Sequence, residues 1–281
     1  MMLQHYRYLI IGAGAVGQAI VSFLKQAGMS LTVLARGETA SALRQHGIQR
    51  TGLLGNYLVE SRNLDVKEKI NDLKNEAFDA IFICVKSFDS EVIANELKRY
   101  PNLIKEPTVV VLCQNGWGNA EVFATIIERC RLLNARILTG FRRAKINEVN
   151  VTVHARPIRI GSLFSRDTSL SESVCAVLSR GGLPTEATAY IEQDLWEKMC
   201  FNCTVNPLGA IFGVPLGELV ICPEMRLIIE RMIGEIFDVI YGCGFRTNWP
   251  NAKSYLRFFY EELIPATASH PSSMLQDILS G

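Results

Sequence analysis

Three polar side chains recur at four-residue spacing in the largely apolar segment from Trp196 to Pro207. If this segment is helical, Lys198, Asn202 and Asn206 follow one another at about 40° around the axis and form one narrow stripe. An ammonium group can supply a proton, and a carboxamide can both donate and accept hydrogen bonds. The stripe therefore suits a ligand whose carbonyl group is reduced to a hydroxyl group.

The alternative interpretation of this stripe is the solvated face of an amphipathic helix. Asn is a poor helix former, and an ordinary solvated face carries Glu, Gln, Lys or Arg at lower cost. Two Asn residues in register with a Lys therefore favour a bound polar ligand over solvent.

The overall composition is that of an ordinary globular protein. The chain has 281 residues, of which 48% are hydrophobic and 20% charged, enough for one large core or two smaller ones. A formal charge of +1 without Lys/Arg runs predicts no nucleic-acid partner. No apolar stretch reaches the roughly 18 residues of a membrane span, so we expect a cytoplasmic protein without a membrane partner.

The cysteines and histidines show no metal-binding pattern. The eight cysteines are scattered through apparent strands and helices, which is typical of reduced core thiols in a cytosolic protein. Cys200 and Cys203 form a C-x-x-C, but no second cysteine pair or histidine cluster accompanies them to complete a tetrahedral site. We therefore expect no metal.

The N-terminal half has the alternating pattern of a doubly wound α/β fold. An apolar strand over residues 7–11 leads into a Gly-rich turn, a helix over 18–27 and a second strand over 31–35. Strand and helix patterns then alternate at residues 79–85, 90–100, 108–113 and 119–129. This alternation predicts an open parallel sheet covered by helices on both faces.

The turn between the first strand and the first helix has a G-x-G-x-x-G pattern. Its six residues are Gly12, Ala13, Gly14, Ala15, Val16 and Gly17. In a β-α-β unit the first glycine permits the turn, the second lets the backbone approach a pyrophosphate, and the third packs helix on strand. The helix N-terminus adds N–H donors and a favourable dipole. We predict that these six residues bind a dinucleotide cofactor.

The alternation of strands and helices ends after residue 138. Short runs at 149–154 and 158–163 predict an antiparallel addition at the sheet edge, and residues 170–180 predict a helix. From about residue 191 nearly every segment has helical periodicity. The predicted fold is a Rossmann-type α/β dinucleotide-binding domain over residues 1–189, followed by an all-helical domain over residues 190–281.

Arg36 stands at the end of the second predicted strand, where an NAD site usually carries Asp or Glu for the ribose 2′-hydroxyl. A guanidinium group pairs with a 2′-phosphate instead, so NADP (NADPH) is favoured over NAD. The alternative interpretation is a solvated arginine at a strand end.

Three further polar motifs lie outside these elements. Lys86 and Asn115 close two predicted strands, and ligands of open α/β sheets bind beyond the carboxyl ends of strands. Taken alone, Lys86 could be a surface residue and Asn115 a turn residue. Near the C-terminus, Ser272 and Ser273 precede apolar positions, and the residues alone favour a helix N-cap over a substrate contact.

The order of these motifs resembles that of the ketopantoate reductase (2-dehydropantoate 2-reductase) family over nearly the whole chain. The glycine loop, the strand-end arginine, the motifs at Lys86 and Asn115, the Lys198 helix and the serine motif all occur in the family's sequence. The resemblance implies NADPH-dependent reduction of the 2-keto group of ketopantoate to pantoate, on the route to pantothenate and coenzyme A.

The resemblance also implies roles for the candidate residues. Lys198 would be the general acid that protonates the alkoxide formed by hydride transfer. Asn202 and Asn206 would orient the keto and hydroxyl oxygens of the 2-oxo acid, and Ser273 would bind its carboxylate. The active site would lie in the cleft between the two domains.

By the same resemblance, Asn115 would line the cleft that holds substrate and cofactor, and Lys86 would line the cofactor part of this cleft. The family usually carries a Glu shortly beyond the serine motif, and this sequence ends at Gly281 without it. A chain truncated at its C-terminus, and a catalytically impaired NADP-binding paralogue or sensor, are therefore alternatives. A different branched 2-oxo acid as the substrate is a further alternative. The apolar C-terminal helices leave room for a homodimer.

Overall fold

Buried strands form the centre of the N-terminal part of the chain. The computed structural model describes residues 6–280 and divides into two units, Met1–Ile191 and Glu192–Gly281. The strands of the first unit are β1 (Arg7–Ile11), β2 (Ser30–Leu34), β3 (Ile48–Gly52), β4 (Tyr57–Val59), β5 (Asp65–Lys67), β6 (Ala80–Ile83), β7 (Val109–Leu112), β8 (Leu132–Arg136), β9 (Thr139–Lys145), β10 (Glu148–His154), β11 (Ile158–Gly161) and β12 (Thr185–Ala187). Its helices are α1 (Ala15–Gln26), α2 (Gly37–His46), α3 (Ser90–Lys98), α4 (Asn119–Phe123) and α5 (Ser169–Arg180).

The main sheet has eight strands in the order β12-β11-β8-β7-β6-β1-β2-β5. The strands from β8 to β5 in this order run parallel, whereas β11 is antiparallel to β8. The chain passes from β1 to β2 on one side and later returns to β6 on the other side of β1. This topological switch point is where ligands of such sheets bind, beyond the carboxyl ends of the strands. The predicted Rossmann-type α/β class is confirmed.

Two hydrophobic cores cover the two faces of this sheet. Leu9, Ile11 and Ile81 are buried in one cluster, whereas Ile10 and Phe82 are buried in the other. Successive residues of β1 and β6 therefore contribute to opposite faces, as strand geometry requires. The continuous apolar runs in these strands follow from burial on both faces.

A second sheet, in the order β4-β3-β10-β9, packs against α1. The prediction that residues 149–154 add to the edge of the main sheet is wrong, because β10 lies inside this second sheet, parallel to β3 on one side and antiparallel to β9 on the other. Val149 and Val151 are buried in the same core as Phe23 of α1. In the main sheet, β11 forms the antiparallel addition.

The fourth helix is shorter than its sequence pattern predicts. It ends at Phe123 instead of continuing to residue 129. The hydroxyl of Thr125 donates to the carbonyl of Val122 at 2.7 Å, a local bond of the kind that competes with helix continuation.

The second unit is helical, as predicted. Its helices are α6 (Ile191–Phe212, which starts on the last residue of the first unit), α7 (Leu216–Leu219), α8 (Pro223–Gly242), α9 (Ala252–Phe258), a π-helical turn (Phe259–Leu263), α10 (Ile264–Thr267) and α11 (Ser273–Ser280). Ile229, Ile233, Phe237 and Ile240 of α8 are buried at helical spacing, and the Phe237 ring lies 5.9 Å from that of Tyr255. Within residues 6–280, no helix combines the length and apolar character needed to cross a bilayer.

Candidate dinucleotide-binding and catalytic residues

The glycine loop follows β1 and opens α1, so it lies at the switch point of the sheet. At Gly12, φ is +101°, and a Cβ atom there would lie 2.9 Å from the backbone carbonyl carbon of Cys84. A Cβ atom at Gly17 would lie 1.9 Å from the carbonyl oxygen of Gly12. These two glycines therefore let the loop pack tightly on itself and on the end of β6.

Gly14 has a different environment from the other two glycines of the motif. It is the exposed N-cap residue of α1, and a Cβ atom there would meet nothing within 4 Å. The open space in front of its backbone leaves room for a ligand at the start of α1, where N–H groups and the helix dipole favour an anion. Ala15 and Val16 form the first turn of α1, and Ala13 is a buried residue of the loop.

A cleft of about 250 Å³ opens at this loop. Gly12 and Gly14 line one side, and Arg36 and Thr39 line the part that follows β2. Apolar side chains after β6, among them Val92, line another part of the cleft. The cleft thus combines a backbone cradle, an apolar wall and an exposed guanidinium group, which fits the phosphates and adenosine of a dinucleotide.

Lys86 and Asn115 are both exposed and follow the neighbouring strands β6 and β7. The carbonyl of Asn115 accepts a hydrogen bond from Ser87 at 3.0 Å and one from Asn119 Nδ2 at 3.1 Å. These bonds join the loop after β7 to the loop after β6. The structure therefore brings the two predicted residues to the same edge of the sheet.

A buried polar network supports these two loops. Gln114 Nε2 donates to Ser90 Oγ at 2.7 Å, and Ser90 Oγ donates to Asn119 Oδ1 at 2.9 Å. Sequence reasoning placed Asn115 at the end of a predicted strand but missed Ser90 and Asn119. Their positions at the starts of α3 and α4 gave no signal, because a polar residue at a helix start is ordinary.

In the second unit, Lys198, Asn202 and Asn206 all lie on α6 and are all partly exposed. Asn206 Nδ2 donates to Asn202 Oδ1 at 3.3 Å, so the two carboxamides meet across one helical turn. This bond uses one N–H of Asn206 and one acceptor site of Asn202, and the pair keeps donors and acceptors for a ligand.

The serine motif is tied to the same helix. Ser272 is buried, accepts the N–H of Leu275 at 3.1 Å and donates to the carbonyl of Asn206 at 3.1 Å. It is therefore the N-cap of α11, as the residue pattern favoured, and it anchors that helix beside Asn206. Ser273 is the exposed first residue of α11.

The C-x-x-C segment on α6 combines one buried thiol and one exposed thiol. Cys200 is buried, and burial raises the pKa of its thiol to about 12. Cys203 is exposed, and both thiols are free. A thiol that stays protonated is a poor nucleophile. Within residues 6–280, no cluster of His, Cys, Asp and Glu is arranged to hold a metal ion.

A Rossmann-type sheet with a glycine loop, joined to a helical unit with a Lys/Asn stripe, defines the class of dinucleotide-dependent oxidoreductases. Residues 8–163 match the family model described as ketopantoate reductase PanE/ApbA, and residues 190–281 match the model of its C-terminal part. The chain belongs to the ketopantoate reductase family.

Curated relatives extend over almost the whole chain. A 2-dehydropantoate 2-reductase of Aquifex aeolicus is 31% identical over 276 residues, which cover 98% of this chain and 85% of the relative. One from Archaeoglobus fulgidus is 29% identical, with the same coverage.

Solved structures share the fold at lower identity. The 2-dehydropantoate 2-reductase of Geobacter metallireducens superposes with a TM-score of 0.84 at 24% identity, over 98% of this chain and 87% of that chain. A ternary complex of D-mandelate dehydrogenase with NADH and anilino(oxo)acetate also gives 0.84, at 18% identity, over 98% and 85%. At these identities the likeness concerns the fold.

The contrast between Gly14 and Gly17 leads to a prediction. Gly14→Ala should fold like the wild type but bind a reduced nicotinamide dinucleotide at least about tenfold more weakly, because its methyl group would occupy the pyrophosphate position. Gly17→Ala should lower the free energy of unfolding by about 2–3 kcal/mol through overpacking. Thermal denaturation and fluorescence titration check the pair. If Gly14→Ala bound the dinucleotide with wild-type affinity, the assignment of the glycine loop as the pyrophosphate site would be wrong.

Proposed function

We propose that this protein reduces the 2-keto group of ketopantoate to the hydroxyl group of pantoate with NADPH. The observation that carries the proposal is the stripe on α6, where a lysine lies one turn from a pair of hydrogen-bonded carboxamides. Membership of the ketopantoate reductase family supports the choice of substrate.

The glycine loop and the cleft beside it would bind the cofactor. Backbone N–H groups at the start of α1 would hold the pyrophosphate, and Arg36 would pair with the 2′-phosphate. Lys86 and Asn115 would contact the cofactor where the two strand-end loops are joined. NADPH is preferred over NADH because a guanidinium group, not a carboxylate, stands two residues after the end of β2.

The second unit would supply the acid and the substrate contacts. The bound dinucleotide supplies a hydride to C2 of the 2-oxo acid. Lys198 would donate a proton from Nζ to the resulting alkoxide oxygen, become a neutral amine and regain its proton from solvent. Asn202 and Asn206 would hold the keto and hydroxyl oxygens, and Ser273 would hydrogen-bond the carboxylate.

Oligomeric state and location stay predictions. Leu227, Ile228, Val239 and Tyr241 of α8 are exposed, which supports the predicted homodimer, since exposed apolar patches often mark protein contacts. The cytoplasmic location rests on the sequence composition alone.

The proposal is tested by initial rates of NADPH oxidation with ketopantoate and with branched 2-oxo acids that lack its hydroxyl group, such as 2-oxoisovalerate. We expect kcat/KM to be at least about tenfold higher for ketopantoate, because an unpaired site amide disfavours the analogue. A higher kcat/KM for an analogue would identify a different 2-oxo acid as the substrate. NADPH binding without turnover of any of them would favour the sensor alternative.

A further inference from the structure

A second guanidinium group reaches the cleft beside Arg36. Arg143 lies on β9 of the second sheet, 104 residues from Thr39 of α2, yet both line the same cleft as Arg36. No local pattern in the sequence connects these positions. The long-range pairing of the second sheet places Arg143 there.

Three hydrogen bonds hold this side chain in place. Its Nη2 donates to Thr39 Oγ1 at 2.8 Å and to the carbonyl of Ile146 at 2.9 Å, and its Nε reaches the same carbonyl at 3.3 Å. All three bonds go to neutral oxygens, so they orient the guanidinium group without neutralising its charge. None of them uses Nη1, whose two N–H donors are suited to an anionic oxygen.

The Ile146 carbonyl is itself fixed to the glycine loop. Gln18 is completely buried, and its Nε2 donates both to the carbonyl of Ile146 and to that of Ala13, each at 2.9 Å. A continuous chain of hydrogen bonds thus runs from the glycine loop through Gln18 and Ile146 to Arg143. This chain sets the distance between the pyrophosphate cradle and the second guanidinium group.

The lining of this part of the cleft favours a phosphate as the ligand of Arg143. In Rossmann-type folds the ribose 2′ position lies at the end of the second strand, where Arg36 and Thr39 stand. Asp89 also lines the cleft, but it follows β6, the strand on the opposite side of β1. The end of the cleft after β2 therefore presents two arginines to a ligand.

We propose that Arg143 is a second specificity-determining residue, which binds the 2′-phosphate of NADPH together with Arg36. This inference rests on the proposed use of NADPH and adds a residue from a distant part of the chain to it. Two guanidinium groups can share the phosphate oxygens through charge-assisted bonds, which a ribose diol cannot match.

Binding measurements on the intact protein test this inference. Dissociation constants for NADPH, NADH, adenosine 2′,5′-bisphosphate and 5′-AMP would be compared for wild type, Arg143→Gln, Arg143→Lys and Arg142→Gln. Arg142 is the matched control, because it is the exposed neighbour on β9 and its side chain points to the other face of the strand.

We expect Arg143→Gln to raise the dissociation constants for NADPH and the bisphosphate about tenfold. The dissociation constants for NADH and 5′-AMP should change less than about twofold. Arg143→Lys should restore part of the preference, and Arg142→Gln should leave it unchanged. An equal loss of affinity for NADPH and NADH, or no loss of affinity for NADPH, would overturn the inference while leaving the proposed function intact. A wild-type protein with no preference for NADPH would instead overturn the proposed cofactor and this inference together.

Discussion

Lys198→Met is expected to lower kcat for reduction of ketopantoate by about 10²- to 10⁴-fold, the range typical of a lost general acid. Met has a similar length but no proton to donate, so the alkoxide would have to be protonated by water. The dissociation constant for NADPH should stay within about twofold of the wild-type value, because the proposed cofactor contacts are made by other residues. Stopped-flow rates and a fluorescence titration measure the two quantities.

Lys253→Met is the matched control for this substitution. Lys253 is an exposed lysine on α9 of the same unit, so the variant loses the same charge at a position outside the stripe. It should retain wild-type kcat. If Lys198→Met turned over as fast as this control, Lys198 would not be the general acid.

Arg36→Ala is expected to raise KM for NADPH by about 30- to 150-fold, which corresponds to the loss of a charge-assisted contact worth about 2–3 kcal/mol. The KM for NADH should change little, because a ribose diol gains little from a guanidinium group. Steady-state kinetics with both cofactors measure the ratio.

Arg44→Ala provides the comparison for Arg36. Arg44 also belongs to the segment after β2, but it pairs with Glu68 at 2.6 Å and with the carbonyl of Val66. Its loss should leave the ratio of the two KM values unchanged. If Arg36→Ala raised the KM values for NADPH and NADH equally, Arg36 would not be the residue that binds the 2′-phosphate.

Local sequence patterns predicted the elements whose residues are close in the chain. The glycine turn, α1 and β2 follow from spacing within about 30 residues, because a β-α-β unit is a local structure. The meeting of Asn202 and Asn206 also follows from four-residue spacing on one helix. The roles assigned to Lys198 and Ser273 were implied by family resemblance and stay predictions.

Long-range pairing explains what the sequence did not reveal. Asn150 of β10 donates to Thr51 of β3 across 99 residues, and no periodicity in either strand specifies that partner. The second sheet that contains them brings Arg143 to the cleft, so this arginine was missed. Ser90 and Asn119 were missed because a polar residue at the start of a helix is ordinary and does not reveal that the two side chains bond to each other.

The most direct test of the central claim is transfer of the hydride itself. With NADPH that carries deuterium at the transferable position of C4, the wild-type protein should convert ketopantoate to pantoate with one deuterium at C2, detected by mass spectrometry. Lys198→Met should form the same product at least about a hundred times more slowly. Bound NADPH with no deuterated pantoate, in a wild-type protein that is correctly folded, would contradict the proposed reaction.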